Sequence, residues 1–256
     1  MTYCVGLMLD RGLVLMSDTR TNSGVDNIST FRKMFRWCVP GDRVIALMTA
    51  GNLATTQAVV SQLEERNKAP GDRHNSLLDA PSMFQVAGTV GKLLRATIQG
   101  TTGAGQEASG KFGASIILAG QIKGMEPRLF MIYPEGNFIE ASFDTPFFQI
   151  GETKYGRPII IRGYDRDMSF EDAVKLLMVS FDSTLKANLS VGLPLDLLAI
   201  QRDTYEPLHE RRITAADPYF QAISSGWGEA LKAAFHSLPD YSFYSDPEPV
   251  VAAVRG

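Results

Sequence analysis

The sequence is poor in the features that mark several broad classes of protein. It contains only two cysteines in 256 residues, Cys4 and Cys38, and both lie in apolar segments that are predicted to be strands. We therefore expect reduced core cysteines, with no disulfide framework, metal centre or cofactor. The net charge is −3, so the chain lacks the basic surface with which proteins bind nucleic acids.

Long apolar runs are also missing. No stretch approaches the roughly 20 residues that a membrane span needs, and no charged-then-apolar signal segment precedes Thr2. We therefore expect a cytoplasmic protein that does not contact a membrane. The 256 residues, of which 45% are hydrophobic, suffice for one large α/β domain or two small ones, and no internal repeat or clear linker divides them.

What the sequence does contain is a distinctive start. Two apolar segments flank Asp10-Arg11-Gly12 and predict a β-hairpin with a three-residue loop, because the glycine can take the left-handed conformation that closes such a loop. This loop length pairs Cys4 with Asp18 and Thr2 with Arg20. Thr2 and Asp18 are then diagonal neighbours on one face of the sheet, within reach of each other's side chains.

Thr2 gains a chemical role if Met1 is removed. Its small side chain permits that processing, which leaves a free α-amino group and a hydroxyl on adjacent carbons. An α-amino group has a pKa of roughly 7.7 to 8.0, so it can act as the base for the hydroxyl of its own residue. The sequence thus offers a nucleophile that needs no histidine. The alternative is that Thr2 simply begins a strand, as β-branched residues often do.

A lysine interrupts the apolar strand predicted over residues 31–39. Lys33 shares one face of this strand with three aromatic residues, Phe31, Phe35 and Trp37. A buried ammonium is costly unless it is paired, and Asp18 is the carboxylate most available to it. We therefore expect Lys33 to pair with Asp18 beside Thr2. The alternative is a solvated lysine on an edge strand.

A glycine lies where the next strand, residues 44–49, gives way to a helix. The helix is predicted from Leu53 with Asn52 as its cap, and Gly51 precedes that cap. Backbone N–H groups at a helix start are uncovered and can stabilise a developing oxyanion. Gly51 is therefore a candidate oxyanion donor; the alternative is that the glycine only serves a turn.

The rest of the chain alternates groups of strands with pairs of helices. Further helices are predicted from Met83, from the capping box at Ser169 and over residues 218–238. Strands are predicted at 114–120, 128–134, 138–143 and 147–151, as an antiparallel meander, and at 195–201. No element is assigned between residues 152 and 164. This order predicts an α+β fold in which two stacked antiparallel sheets are covered by helices.

One loop, residues 101–111, contains a near match to a phosphate-binding loop. Phe112 stands where that motif needs a hydroxyl to hold magnesium, and a strand follows where a helix is required. We therefore expect a surface loop here, and the nucleotide site is the weaker interpretation.

Several of these segments together resemble the proteasome β-subunit family of N-terminal-nucleophile hydrolases. The resemblance rests on the opening Thr-x-x-x-Gly strand, Ser17-Asp18-Thr19-Arg20, Arg32-Lys33-Met34-Phe35-Arg36 and Thr49-Ala50-Gly51-Asn52-Leu53-Ala54. Three further stretches are similar to the bacterial branch called Anbu, namely residues 19–22, 151–156 and 188–192. The resemblance spans most of the chain, from Thr2 to about Gln201.

The resemblance implies a fold and an assembly. The fold is a four-layer α-β-β-α sandwich, so we expect a single domain over residues 1–256. The Pro-rich composition of the C-terminal segment indicates that residues 239–256 form an extended tail of this domain. The assembly is a ring or ring-like homo-oligomer that hydrolyses peptides or unfolded proteins inside a chamber. Whether an unfoldase acts with it is left open.

The resemblance also implies roles for particular residues. Thr2 is the nucleophile, and Lys33 paired with Asp18 lowers the pKa of its amine and hydroxyl. The Gly51 N–H is the oxyanion donor. Two residues match positions that line the substrate pocket and imply a preference for an apolar side chain, Thr49 and Leu53. Two others match positions near the nucleophile and are candidate support residues, Arg20 and Ser190.

Two positions depart from the family pattern. Proteasome subunits place Gly-Ser-Gly where this chain has Glu152-Thr153, and an aspartate where it has Ala187, three residues before Ser190. The serine and aspartate normally support the proton network of the terminal amine. Glu152 and Asn188 are the candidates to replace them.

Three functions fit these observations. The leading one is a threonine peptidase that uses Thr2. The second is an amidase or γ-glutamyl hydrolase that applies the same nucleophile to a small substrate, which the altered support residues make possible. The third is a scaffold subunit that assembles without catalysis, which a retained Met1 would indicate because it blocks the amine.

Overall fold

Two five-stranded antiparallel sheets form the centre of the structure, a computed structural model that describes residues 2–22, 28–68, 76–102 and 112–243. In chain order the strands are β1 (Tyr3–Leu9), β2 (Gly12–Asp18), β3 (Arg20–Asn22), β4 (Ile28–Thr30), β5 (Met34–Val39), β6 (Arg43–Gly51), β7 (Ala114–Ile122), β8 (Arg128–Ile132), β9 (Phe138–Glu140), β10 (Phe147–Gly151), β11 (Leu195–Gln201) and β12 (Pro207–Ile213). The helices are α1 (Leu53–Lys68), α2 (Met83–Thr102), α3 (Arg157–Gly163), α4 (Phe170–Ala187) and α5 (Pro218–His236).

The first sheet has the strand order β10-β1-β2-β11-β12, and the second has the order β5-β6-β7-β8-β9. Strands β3 and β4 form a separate two-stranded sheet beside them. The central strands are mostly apolar because both of their faces are covered; every residue of β2 is buried, including Ser17 and Asp18 at its end.

Three hydrophobic clusters define the layers. One lies between α1, α2 and the second sheet, and includes Leu47, Leu63 and Phe130. Another lies between the first sheet and the helices α3, α4 and α5, and includes Phe181. The third lies between the two sheets, where Leu15 meets residues of β6 and β7. The predicted α+β fold with two stacked antiparallel sheets is therefore confirmed, with the layers in the order α-β-β-α.

The register predicted for the first hairpin is wrong by one residue. The loop contains only Asp10 and Arg11, and Gly12 belongs to β2, so Leu9 pairs with Gly12 and Cys4 pairs with Ser17. Neither Asp10 nor Arg11 has a positive φ, and Gly12, with a φ of 147°, opens β2 and does not close the loop. Asp18 nevertheless lies beside the start of β1, because the change of register moves its pairing position by only one residue.

Other boundaries also differ from the predictions. The strand expected over 31–39 begins only at Met34, and residues 147–151 leave the meander to pair with β1 in the other sheet. Helix α3 occupies part of the unassigned segment 152–164. Strand β12 was not predicted, because its exposed sequence carries three adjacent charged residues, Glu210, Arg211 and Arg212.

Two expected features lie partly or wholly outside the described residues. These are the phosphate-loop match at 105–111 and the tail 239–256, of which the structure describes only residues up to 243. Within the part of the chain that the structure describes, no helix is both long enough and apolar enough to cross a membrane.

Candidate active site

A buried ion pair lies next to the start of β1. Lys33 Nζ is 2.7 Å from Asp18 Oδ1, and the exposed fractions of the two side chains are 5% and 0%. The same Asp18 oxygen accepts a hydrogen bond of 3.0 Å from the N–H of Tyr3, the residue after Thr2. The other Asp18 oxygen accepts from the Gly192 N–H at 3.4 Å. A single oxygen of Asp18 thus accepts from both the Lys33 ammonium and the backbone N–H that follows Thr2.

Lys33 reaches Asp18 because its segment crosses between the two sheets. Residues 31–33 form no regular structure, and the Phe31 N–H donates to the Thr19 carbonyl while the Lys33 carbonyl accepts from the Thr49 N–H. Lys33 Nζ also donates to the Arg20 carbonyl at 2.5 Å. The shared strand face that was predicted for Lys33 and the aromatic residues is therefore wrong, whereas the burial of Lys33 and its pairing with Asp18 agree with expectation.

The environment of Asp18 makes its charge costly. Burial raises the pKa of the Asp18 carboxyl, and the Lys33 ammonium with the N–H groups of Tyr3 and Gly192 lowers it in part. The negative charge of Asp18 is therefore stabilised by the Lys33 ammonium, and the positive charge of Lys33 is stabilised by the Asp18 carboxylate.

Thr2 borders a small cavity of about 250 Å³. Its lining residues are Thr2, Thr21, Lys33, Thr49, Ala50, Gly51, Leu53, Thr56 and Gly151. The structure thus brings the expected nucleophile, lysine, oxyanion donor and both pocket residues to one site. Thr21 and Thr56 were not predicted to line it, because both are distant from Thr2 in sequence and no pairing predicted from the sequence places them beside it.

Gly51 presents its main chain at the wall of this cavity. It is exposed at the end of β6 with a φ of 116°, a conformation that favours glycine. Asn52 then caps α1, because its Oδ1 accepts a hydrogen bond of 3.0 Å from the Thr55 N–H. A β-carbon on Gly51 would lie 2.4 Å from the Gly113 carbonyl oxygen.

The carbonyl group of Thr2 is hydrogen-bonded by the residue that follows β10. The Glu152 N–H donates to it at 2.6 Å. Gly151 has a φ of 85°, and a β-carbon there would lie 1.9 Å from the Thr2 carbonyl oxygen. Only glycine therefore allows the main chain to pass this close to Thr2.

The residue after Thr2 anchors the strand on its other face. Tyr3 is fully buried, and its hydroxyl is 2.7 Å from Ser180 Oγ on α4 and accepts from Gln149 Nε2 at 2.6 Å. Burial raises the pKa of the Tyr3 hydroxyl, which stays neutral at physiological pH. No sequence motif indicates this anchor, because its partners are far away in the chain.

The four candidate support residues are linked through the loop after α4. Arg20 Nη1 donates to the Leu189 carbonyl at 3.0 Å. Asn188 Nδ2 donates to Glu152 Oε2 at 2.9 Å, and Asn188 Oδ1 accepts from the Ser190 N–H at 2.9 Å. Ala187, where the aspartate of the family pattern is missing, is exposed at the end of α4.

Comparison with known proteins gives consistent matches. The model of a family described as proteasome subunit matches residues 2–193. The chain is 24% identical over 216 residues to the proteasome subunit beta of Methanopyrus kandleri, over 83% of this chain and 93% of that protein.

Two solved structures are more similar. The Gly-1 mutant of Anbu from Hyphomicrobium sp. strain MC1 is 48% identical, with a TM-score of 0.88, over 94% of this chain and 100% of that chain. The structure described as the helical assembly of the Anbu complex from Pseudomonas aeruginosa is 43% identical, with a TM-score of 0.87, over 95% of this chain and 100% of that chain.

Proposed function

Because the chain belongs to the proteasome subunit family and, within it, to the Anbu proteins, we propose that it is a threonine peptidase. In this proposal Thr2, freed by removal of Met1, cleaves peptide bonds inside a self-assembled multimer. The buried pair of Lys33 and Asp18 carries the proposal, since it lies beside Thr2 at a cavity that Gly51 also lines.

The proposed chemistry begins at the terminal amine. The Lys33 ammonium lowers the proton affinity of the nearby amine, which favours the neutral form that can accept a proton. The amine takes the proton of the Thr2 hydroxyl while the oxygen attacks the carbonyl carbon of the substrate. The negative charge that develops on the carbonyl oxygen is stabilised by the Gly51 N–H.

The intermediate then collapses in the usual order of acyl transfer. The C–N bond breaks, the leaving amine takes the proton from the Thr2 ammonium, and an ester remains on the Thr2 oxygen. Water attacks this ester and gives a proton to the same amine. The bond between the acyl carbon and the Thr2 oxygen then breaks, the Thr2 ammonium returns the proton to that oxygen, and the second product leaves as a carboxylic acid. Every proton thus passes through the amine of Thr2.

The cavity supports a preference for an apolar side chain in the substrate. Leu53 and Ala50 supply apolar side chains, and the one charged side chain among its lining residues is Lys33. About 250 Å³ accommodates a medium-sized side chain beside the peptide.

Self-assembly is supported by an apolar surface on α5. Beyond its first turn this helix exposes Leu231 by 55% and Phe235 by 69%, and Leu238 follows with 63%. Surfaces of this kind commonly bind another protein. A second copy of the chain is the occupant we propose, since the relative from Pseudomonas aeruginosa is described as a helical assembly.

Intact mass spectrometry with a β-lactone or an epoxyketone probe tests this proposal. The expected result is a protein without Met1 that gains one probe mass at Thr2, and cleaves members of a peptide library. Thr2→Ala should give neither adduct nor cleavage, while Thr2→Ser should keep both.

Other results would identify the alternatives. An adduct without peptide cleavage would favour an amidase that acts on small substrates. Retained Met1 with no adduct would contradict an N-terminal nucleophile and would favour a scaffold subunit.

A further inference from the structure

A pair of residues connects the main chain of Thr2 to the loop that holds Asp18. We propose that Glu152 and Asn188 are positioning residues that act as one unit, and that their hydrogen bond keeps the nucleophile aligned with the Lys33–Asp18 pair. The inference rests on the proposed function, and it assigns to this pair a role in kcat.

The first half of the unit is Glu152. Its N–H donates to the Thr2 carbonyl at 2.6 Å, so its backbone position fixes that of Thr2. The residue is 7% exposed, and both carboxylate oxygens are engaged. Oε1 accepts from the Lys154 N–H at 3.0 Å, and Oε2 accepts from Asn188 Nδ2 at 2.9 Å.

The second half is Asn188, which directly follows α4. Its Oδ1 accepts from the Ser190 N–H at 2.9 Å and shapes the loop that continues to Gly192. The Gly192 N–H donates to Asp18 at 3.4 Å. One amide side chain therefore joins the strand end beside Thr2 to the loop beside Asp18, although Glu152 and Asn188 are 36 residues apart.

The hydrogen-bond inventory of the two side chains makes the arrangement specific. Position 152 must offer two acceptors, which only a carboxylate supplies, and position 188 must offer one donor and one acceptor. Glu152→Gln loses one acceptor and sets two amide donors against each other. Asn188→Asp loses the donor and sets two carboxylates against each other.

Exchanging the two functional groups restores every partner. In the double variant Glu152→Gln/Asn188→Asp, the new amide donates to one oxygen of the new carboxylate. Its own oxygen accepts from the Lys154 N–H, and the second carboxylate oxygen accepts from the Ser190 N–H. The net charge and the number of hydrogen bonds are the same as in the natural chain.

The test compares the natural chain, both single variants and the exchange variant by peptide cleavage and thermal unfolding. We expect kcat to fall about tenfold in each single variant and to return to within about threefold in the exchange variant, as in a coupled double-mutant cycle. KM should change little, because neither residue lines the cavity. Glu229→Gln, an exposed glutamate on α5, is the matched control and should leave kcat unchanged.

A pH profile supplies a second readout. Two adjacent carboxylates in Asn188→Asp can share a proton, so the activity of this variant relative to the natural chain should rise as the pH falls. A role confined to packing would not produce this trend.

The outcomes separate this inference from the proposed function. If the natural chain cleaves peptides but the single variants match it, or the exchange variant is no better than the weaker single variant, the positioning role is wrong and the peptidase assignment stands. If the natural chain forms no adduct at Thr2, the peptidase assignment fails, and the positioning role falls with it.

Discussion

The Lys33–Asp18 pair shows how much the site depends on single side chains. Both groups are almost completely excluded from water, so each charge is stabilised mainly by the other. Such a pair adds little net stability, yet breaking it leaves an uncompensated charge. Its presence in the interior therefore supports the role that we propose for it beside Thr2.

Replacing Lys33 should therefore affect both activity and stability. We expect Lys33→Ala to abolish peptide cleavage and to lower the free energy of unfolding by about 3–5 kcal/mol at pH 7, because Asp18 is left buried and unpaired. Arg36→Ala, which breaks an exposed pair with Glu210, should cost only about 0–1 kcal/mol. Urea unfolding monitored by circular dichroism measures both.

The effect of pH on the Lys33→Ala variant has a defined sign. Burial already raises the pKa of Asp18, and loss of the ammonium removes a group that lowers it. The carboxyl therefore takes up a proton at a higher pH than an ordinary aspartate, and the neutral acid needs no counter-charge. The stability difference from the natural chain should narrow on acidification; a difference that is constant from pH 7 to pH 5 would contradict this.

The two cysteines should differ in reactivity. Cys4 is fully buried, and burial raises the pKa of its thiol; Cys38 is partly exposed, and burial raises its pKa as well. We expect a thiol reagent to modify only one of the two cysteines in the folded protein. The rate of this modification should still be rising with pH above the ordinary pKa of a cysteine, because the thiolate is the reactive form. Peptide mapping should locate the label at Cys38 and, only after unfolding, at Cys4.

At the level of elements, helices α4 and α5 are both capped at their N-termini by the side chain of the residue that precedes them. Ser169 Oγ accepts from the Asp172 N–H at 3.0 Å at the start of α4. Asp217 caps α5 by accepting from the N–H groups of Tyr219 and Phe220, both at 3.0 Å, and it also pairs with Arg211. The two helices differ in burial, since α4 buries eight residues and α5 buries only Phe220.

This difference predicts different responses to loss of the cap. Ser169→Ala should cost about 1 kcal/mol in global stability and leave α4 formed, because its core face holds it in place. Asp217→Ala should instead loosen α5 locally, since little tertiary packing remains to compensate. Hydrogen exchange should show faster amide exchange across Pro218–His236 in this variant while α4 stays protected. Equal protection of α5 in both variants would argue against the prediction.

At the level of the whole molecule, the apolar surface of α5 is the natural place to test assembly. Placing a charge there should weaken the contact with a second copy without disturbing the fold, because the side chains are exposed. We expect Leu231→Glu combined with Phe235→Glu to shift the particle mass toward the single chain in light scattering after size-exclusion chromatography.

A charge change elsewhere on the same helix serves as the control. Lys232→Glu alters an exposed residue that pairs with Glu229, and it should leave the particle mass unchanged. If the double variant assembles as the natural chain does, the interface lies on another surface.

Much of the site could be predicted because its chemistry depends on residue types at fixed positions. A threonine at the start of a strand, a lysine among aromatic residues and a glycine before a capped helix are all visible in the sequence, and their combination identifies the family. The cap at Asn52 and the capping box at Ser169 depend on neighbours within three residues, so they could be predicted as well.

The tertiary structure decided what depends on pairings between distant segments. The hairpin register changed with one residue of loop length, and β12 could not be predicted because an edge strand is held by backbone pairing that many side chains permit. The link from Glu152 to Asn188 joins the ends of β10 and α4, and the crossing of Lys33 between the sheets depends on its backbone hydrogen bond with Thr49 of β6. Local sequence thus determined which groups are present, and packing determined which of them touch, because contact between distant residues depends on how all of the layers stack.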